Sequence, residues 1–160
     1  MRVGILSDTH DQLARTSRAV ASLISEGAEV LIHCGDMTRP PIVRECAGLT
    51  CYYVFGNNDF DEDVLRRAMA ATGGVCLERG GQIEFGETRI AVTHGDSARE
   101  IRRLLATTPN YLLHGHSHAA SDECHGATRW INPGALHRAH EWTVAVLDLD
   151  SDVLRFLNIR

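Results

Sequence analysis

Nowhere in the 160 residues does an apolar run approach the roughly 20 residues a membrane-spanning helix needs, so no membrane span is expected. The opening Met1-Arg2-Val3-Gly4-Ile5-Leu6 turns polar at Ser7-Asp8, too soon for a signal peptide, and no cleavage site follows. Positive charge is not in surplus: 16 Lys and Arg against 21 Asp and Glu leave a formal net charge of −5. That argues against stable nucleic-acid binding through a general basic patch, but not against a phosphate ester held locally by metal ions. The five cysteines (Cys34, Cys46, Cys51, Cys76 and Cys124) include no Cys-x-x-Cys pair and are odd in number. Two lie in apolar strand-like runs, as buried reduced thiols do, which points to a cytoplasmic location. Repeats, low-complexity tracts and linkers are missing too. Residues 1–160 therefore read as one domain, long enough for one substantial core. A homo-oligomer is neither indicated nor excluded.

What is present has ordinary globular proportions, 44 % hydrophobic and 23 % charged, which rules out disordered and fibrous classes. Residues 2–7 form an apolar run suited to a buried strand and stop at Asp8-Thr9-His10. Leu13, Val20, Leu23 and Ile24 recur at helical spacing over 13–25. Residues 30–32 predict a second strand, ending at Cys34-Gly35-Asp36, and Pro40-Pro41 opens a short helix through Ala47. Residues 52–55 predict a third strand, stopped by Gly56-Asn57-Asn58-Asp59; a helix over 61–71 has acidic residues in its first turn. The β-α-β-α-β-α order predicts a parallel sheet covered by helices. Strands are expected at 83–85, 88–93 and 111–113, with a helix over 98–106. The segments 142–149 and 153–159 read as a closing antiparallel pair.

The places where polar residues stop these strands carry the functional signal. Five strand ends deliver Asp8, His10, Asp36, Asn57, His94, His116 and His118. The carboxyl ends of parallel strands lie on one sheet edge, where ligands bind in α/β proteins. Carboxylate, imidazole and amide oxygen together suit borderline divalent ions. Asp8-x-His10 places two side chains on one side of an extended chain, and one carboxylate can bridge two cations. Each motif alone has an ordinary reading. Asp-Thr-His can cap a helix, Gly35-Asp36 and Gly56-Asn57-Asn58-Asp59 are turn signals, and His94 could be a satisfied strand-end histidine. Five of them in order, at five strand ends, favour a metal pair.

In this combination the chain resembles the calcineurin-like metallophosphoesterases, whose pattern is Asp-x-His, Gly-Asp, Gly-Asn-His-Asp, His-Gly and Gly-His-x-His. The likeness runs from Val3 to about Leu149. Short length and the Ile131-Asn132-Pro133-Gly134 segment resemble the small bacterial and archaeal phosphodiesterase branch, which includes relatives of the retromer scaffold subunit. The resemblance implies an α/β fold, α+β by some schemes, of two packed mixed β-sheets flanked by helices. It implies two divalent metal ions, manganese first among iron, nickel, cobalt and zinc. Asp8, His10, Asp36 and His118 would hold one ion, Asp36, Asn57, His94 and His116 the other. The implied activity is hydrolysis of a small phosphodiester by a hydroxide between the ions. Alternatives are a scaffold or interaction protein on the same fold and a phosphomonoesterase.

Two departures matter. Asn58 stands where many members have a histidine that helps the leaving group; with Asp59 it forms the catalytic pair the resemblance suggests. Asn58 can donate a hydrogen bond but cannot transfer a proton near pH 7. Where related small members read His-Gly-His, this chain reads His94-Gly95-Asp96, so Asp96 is expected to orient a ligand histidine or to repel monoester dianions. Beyond the motifs, His33 and His114 are expected in the core or behind ligands, His125, His137 and His140 on the surface. Arg99, Arg102 and Arg103 are read as a solvated helix face. His137 and Arg138 follow the Asn132-Pro133-Gly134 turn and could reach substrate, a weaker reading than the surface one.

Overall fold

Apolar on both faces, the run at the start of the chain becomes β1 (Arg2–Leu6), a strand buried between two other strands in the computed structural model, which describes all 160 residues. It pairs in parallel with β2 (Val30–His33) and antiparallel with β10 (Thr143–Asp148). With β3 (Cys51–Tyr53), β4 (Val75–Cys76) and β11 (Val153–Asn158) these make a six-stranded sheet in the order β11-β10-β1-β2-β3-β4. A second sheet runs β5-β6-β7-β9-β8, from β5 (Gly80–Phe85), β6 (Thr88–Thr93), β7 (Tyr111–Leu113), β8 (Ser121–His125) and β9 (Thr128–Asn132). Both sheets are mixed, and helices flank them.

Side-chain alternation along the strands sets the layers. Val3, Ile5 and Ile32 point at the second sheet and pack with Ile90, Val92, Leu113 and Ile131. Leu6, Leu31, Tyr53 and Phe55 point the other way. They meet residues of three helices: α1 (Leu13–Ser25), α2 (Pro40–Glu45) and α3 (Glu62–Ala71). The far face of the second sheet is covered by α4 (Ala98–Leu105), where Leu104 packs on Ala91 and Leu112. Helix starts follow local chemistry. The Asp61 side chain accepts from the Val64 N–H, Ser97 accepts from the Glu100 N–H, and α2 begins at Pro40. Arg99, Arg102 and Arg103 are exposed on α4. No helix is long and apolar enough to cross a membrane.

The expected helices and closing antiparallel pair are present. Three strands are additional: β4, β8 and β9. β8 reads Ser-Asp-Glu-Cys-His and lies at a sheet edge with both faces exposed, so it has no apolar alternation. β9 has only Trp130 and Ile131 as large apolar residues, yet it runs parallel to β7 inside the sheet. Its carboxyl end therefore faces the same way as that of β7.

Candidate metal centre

The strand-end loops are stitched to one another by their backbones before any side chain is considered. The Asp8 N–H donates to the Gly35 carbonyl at 3.0 Å, His10 N–H to Asp36 O at 2.9 Å, and Gly115 N–H to His94 O at 2.9 Å. Five of the seven expected ligands sit at positive φ: Asp8 (52°), His10 (39°), Asp36 (60°), His116 (69°) and His118 (59°). Residues other than glycine held there cost about 1–3 kcal/mol each and persist only where surrounding structure over-determines them. The close approach of the loops also needs glycine. A side chain at Gly56 would collide with the Asp36 carboxylate, and one at Gly115 with Ser7 and Asp8.

Asp36 lies between two histidines. Its Oδ2 is 3.3 Å from His10 Nε2 and 3.4 Å from His94 Nε2. Asp8 Oδ1 is 3.2 Å from His118 Nε2, 3.9 Å from His10 Nε2 and 4.0 Å from His94 Nε2. Two sets of potential ligand atoms, Asp8–His10–His118 and Asp8–Asp36–His94, each converge within 4.8 Å. Asp8 Oδ1, His10 Nε2 and His94 Nε2 are buried without a hydrogen-bond partner. Leaving such atoms unsatisfied costs about 1–3 kcal/mol each, and a cation would satisfy all three. The carboxylate–imidazole donor set fits a borderline divalent ion. Asn57 and His116 are also brought together, but face each other: His116 Nδ1 and Asn57 Oδ1 are 3.1 Å apart, both residues being exposed.

Electrostatics reinforce the arrangement. Burial works against charge on Asp36, yet contact with His94 and two N–H donors from Asn58 hold its carboxyl well below the usual range. Burial alone would lower His94; its contact with the Asp36 carboxylate, the charge of Asp8 and the Cys34 carbonyl raise it to about 9. Burial outweighs the same carboxylates at His10 and lowers it. The Cys34 carbonyl accepts from His94 Nδ1 at 2.8 Å, which leaves Nε2 as the ring atom that faces the two carboxylates.

Asn58 and Asp59 part company. Asn58 holds both oxygens of Asp36, from its backbone N–H at 2.8 Å and its side-chain amide at 2.7 Å, and it lines the cavity. Asp59 is buried behind the site. Its Oδ2 accepts from the Asp36 and Gly56 N–H groups and its Oδ1 from Thr38. Asp59 is thus a positioning residue, and the expectation that it acts beside Asn58 is corrected. Asp96 is corrected too: it is exposed and makes no side-chain hydrogen bond, and the contact that orients His94 comes from Cys34.

The other histidines divide. His33 is fully buried beneath the first two loops and contacts Thr9 and Gly35. His114 packs edge-on to Trp130. His125 and His140 are exposed. His137 is not a free surface residue: it is half-buried, with its ring 4.8 Å from that of His10. It and Arg138 line a cavity of about 370 Å³ with His10, Asp36, Asn57, Asn58, His116 and His118. The signal was in the sequence. Asn132 caps its own turn through the Gly134 N–H and donates to Gly115 O and Ser117 Oγ, tying the segment that leads to His137 to the His116–His118 loop.

Comparison with known proteins shows the family and the fold. The chain is 26 % identical over 138 residues to a phosphodiesterase of Methanocaldococcus jannaschii, covering 84 % of this chain and 83 % of that protein. The solved structure of an archaeal phosphodiesterase superposes with a TM-score of 0.91 at 23 % identity, over 99 % of this chain and 100 % of the other. A more distant neighbour in fold is the zinc complex of Vps29 from Entamoeba histolytica, with a TM-score of 0.63 at 14 % identity over 99 % and 98 % of the two chains. A family model described as the calcineurin-like phosphoesterase superfamily domain matches residues 1–152, and the chain belongs to that superfamily.

Proposed function

We propose that this chain is a divalent-metal-dependent phosphodiesterase acting on a small phosphodiester. The observation that carries the reading is the set of three buried, unpartnered ligand atoms around Asp8 and Asp36. Asp8, His10, Asp36 and His118 would hold one ion; Asp36, Asn57, His94 and His116 would hold the other, with Asp36 shared. Its Oδ2, almost equidistant from His10 and His94, suits that place. Two such ions, when bound, supply Lewis-acid charge to phosphoryl oxygens and acidify a water molecule.

The chain's own residues do the rest. Asn58 fixes the orientation of the Asp36 carboxylate, and Asp59 fixes the loop that carries it. Cys34 fixes the tautomer of His94. No group at position 58 can hand a proton to the departing alcohol, so good leaving groups are favoured. Arg138, the only permanent side-chain cation lining the cavity, would meet the phosphoryl oxygens of such a diester. The name of the Methanocaldococcus relative supports the choice of a diester.

The test is metal analysis of the purified protein with assays in manganese, nickel, cobalt and zinc, on an aryl diester and the matching monoester. Metal-dependent turnover, faster on the diester, is expected. Faster monoester hydrolysis would overturn the diester preference. Absence of both bound metal and turnover would turn the reading toward an interaction protein on this fold.

A further inference from the structure

Beside the metal cavity lies a second cleft of about 460 Å³, and two residues, His118 and Arg138, line both. The segment between them is held at both ends. Arg15 stacks its guanidinium 3.3 Å from the Trp142 ring centre and donates to the Leu136 carbonyl, so one side chain grips both sides of the turn. The Leu136 N–H donates to the Asp8 carbonyl, and Thr143 Oγ1 to Pro133 O at 2.8 Å. Within this short span Arg138 sits at φ 46°, exposed, with neither an ion pair nor a hydrogen bond. An unpaired guanidinium held in strained backbone on the rim of a metal cavity is placed to meet an oxyanion, for which its planar fork is suited.

The lining of the second cleft identifies what else would enter. Ser117, His140 and Glu141 supply polar groups, while Ala119 and Ala139 leave room. Glu141 is exposed and forms no hydrogen bond or ion pair. An ionised carboxylate only accepts hydrogen bonds, and the neighbouring hydroxyl and imidazole can donate and accept. That combination matches alcohol hydroxyls. No Phe, Tyr or Trp lines the cleft, so it lacks the stacking surface a nucleobase would use. Its volume falls in the range that accepts small molecules. We propose that this cleft is the subsite for one ester arm of the substrate, an alcohol bearing hydroxyl groups such as a polyol or sugar, with Arg138 contacting the phosphate between the two cavities. The proposal rests on the phosphodiesterase reading, and it gives a physical source for diester preference, because a monoester has no second arm to place there.

The test uses the manganese-loaded full chain with two 4-nitrophenyl diesters, one with glycerol and one with ethanol as the second arm. The wild type should show a lower KM for the glyceryl diester. Glu141→Gln, a near-isosteric change at an exposed position, should raise that KM about fivefold, the worth of one lost hydrogen bond, and so narrow its advantage over the ethyl diester. Ala139→Trp, which fills the cleft, should do the same. Arg138→Gln should raise KM for both diesters. Amide shifts of Ser117 to Ala120 and Ala139 to Glu141 in the zinc-loaded protein, zinc being diamagnetic, on titration with glycerol 3-phosphate, present in the wild type and lost in Ala139→Trp, supply a readout independent of turnover. Equal KM values for the two diesters in the wild type and all variants, without amide shifts, would overturn the subsite and leave the phosphodiesterase reading standing. No turnover of either diester would sink the underlying reading, and this one with it.

Discussion

On one flank of the candidate metal cavity Asp8, Asp36 and His94 are buried and His10 is half-buried; on the other, Asn57 and His116 are exposed. The closed flank contains all three unpartnered ligand atoms, whereas His116 Nδ1 and Asn57 Oδ1 already satisfy each other at 3.1 Å. Folding has therefore left the closed flank with buried polar atoms that no protein group satisfies, at about 1–3 kcal/mol apiece. The open flank must give up a hydrogen bond before its side chains can turn to an ion. The proposed ion that draws on Asn57 and His116 should therefore bind second and release first, and the one held by Asp8, His10, Asp36 and His118 should bind first and release last.

Asp36 is the ligand both proposed ions would share, so Asp36→Ala has the largest expected effect. It should lower turnover by at least about 10³-fold, because the charge serving both ions is lost, and bound metal should fall below one per chain. Activity near the wild-type level would show that the flanks do not depend on a common carboxylate. His116→Ala sharpens the contrast. Metal titration by calorimetry should show the weaker site losing at least about 100-fold in affinity, since a direct ligand goes and losing an outer contact alone costs about 10–100-fold, with the tighter site little changed. Equal weakening of both sites would break the comparison.

The sequence made the strand-end ligands on both flanks far more legible than their surroundings. β1, β2 and β3 are apolar runs stopped abruptly by polar residues, and Asp8, Asp36 and Asn57 were readable as strand-end groups for that reason. His137 and Arg138 were harder to place because the strand that delivers them was missed. β9 pairs with an edge strand that has no apolar alternation, so the stretch from Ser121 to Asn132 carries little of the periodicity that signals a strand. Once β9 is seen to run parallel to β7, the turn at Asn132 falls on the same sheet edge as His116 and His118. Asp96 failed in the opposite way. Its position beside His94 suggested contact, but the chain turns outward there toward the Ser97 cap of α4. Nor does a Gly-Asn-Asn-Asp string reveal that Asp59 turns inward to three backbone N–H groups while Asn58 faces the cavity.

A smaller effect is expected at the border of the two flanks, where Asn58 touches Asp36 from the cavity side. Asn58→His replaces a hydrogen-bond donor by a group able to transfer a proton. General acid catalysis is worth about 10²–10⁴-fold when well placed; in a site not shaped around it, about tenfold is expected. The measurement is the ratio of turnover on alkyl and aryl diesters, which should rise by about that factor. An unchanged ratio would mean that position 58 serves only to hold Asp36.

The smallest expected effect probes what the closed flank stands on. His33 is fully buried below the loops that carry Asp8, His10 and Asp36. The Gly35 N–H donates to its Nδ1 at 3.2 Å, so the ring proton sits on Nε2, 3.1 Å from Thr9 Oγ1. Burial is the main reason its pKa falls from 6.5 to about 3. Between those values the unfolded chain holds a proton that the folded chain refuses. Acidification from about pH 6.5 toward pH 3 therefore favours unfolding through His33, by at most about 1.4 kcal/mol per pH unit, and above pH 6.5 this contribution is constant. His33→Gln removes that proton uptake. Urea midpoints for the wild type and His33→Gln in chelator at pH 7, 6 and 5 should show the variant less stable at pH 7. That gap should close by about 1 kcal/mol per unit as pH falls below 6.5. Parallel pH profiles would mean that His33 is not held neutral beneath these loops, and that the closed flank owes its order to the carboxylates alone.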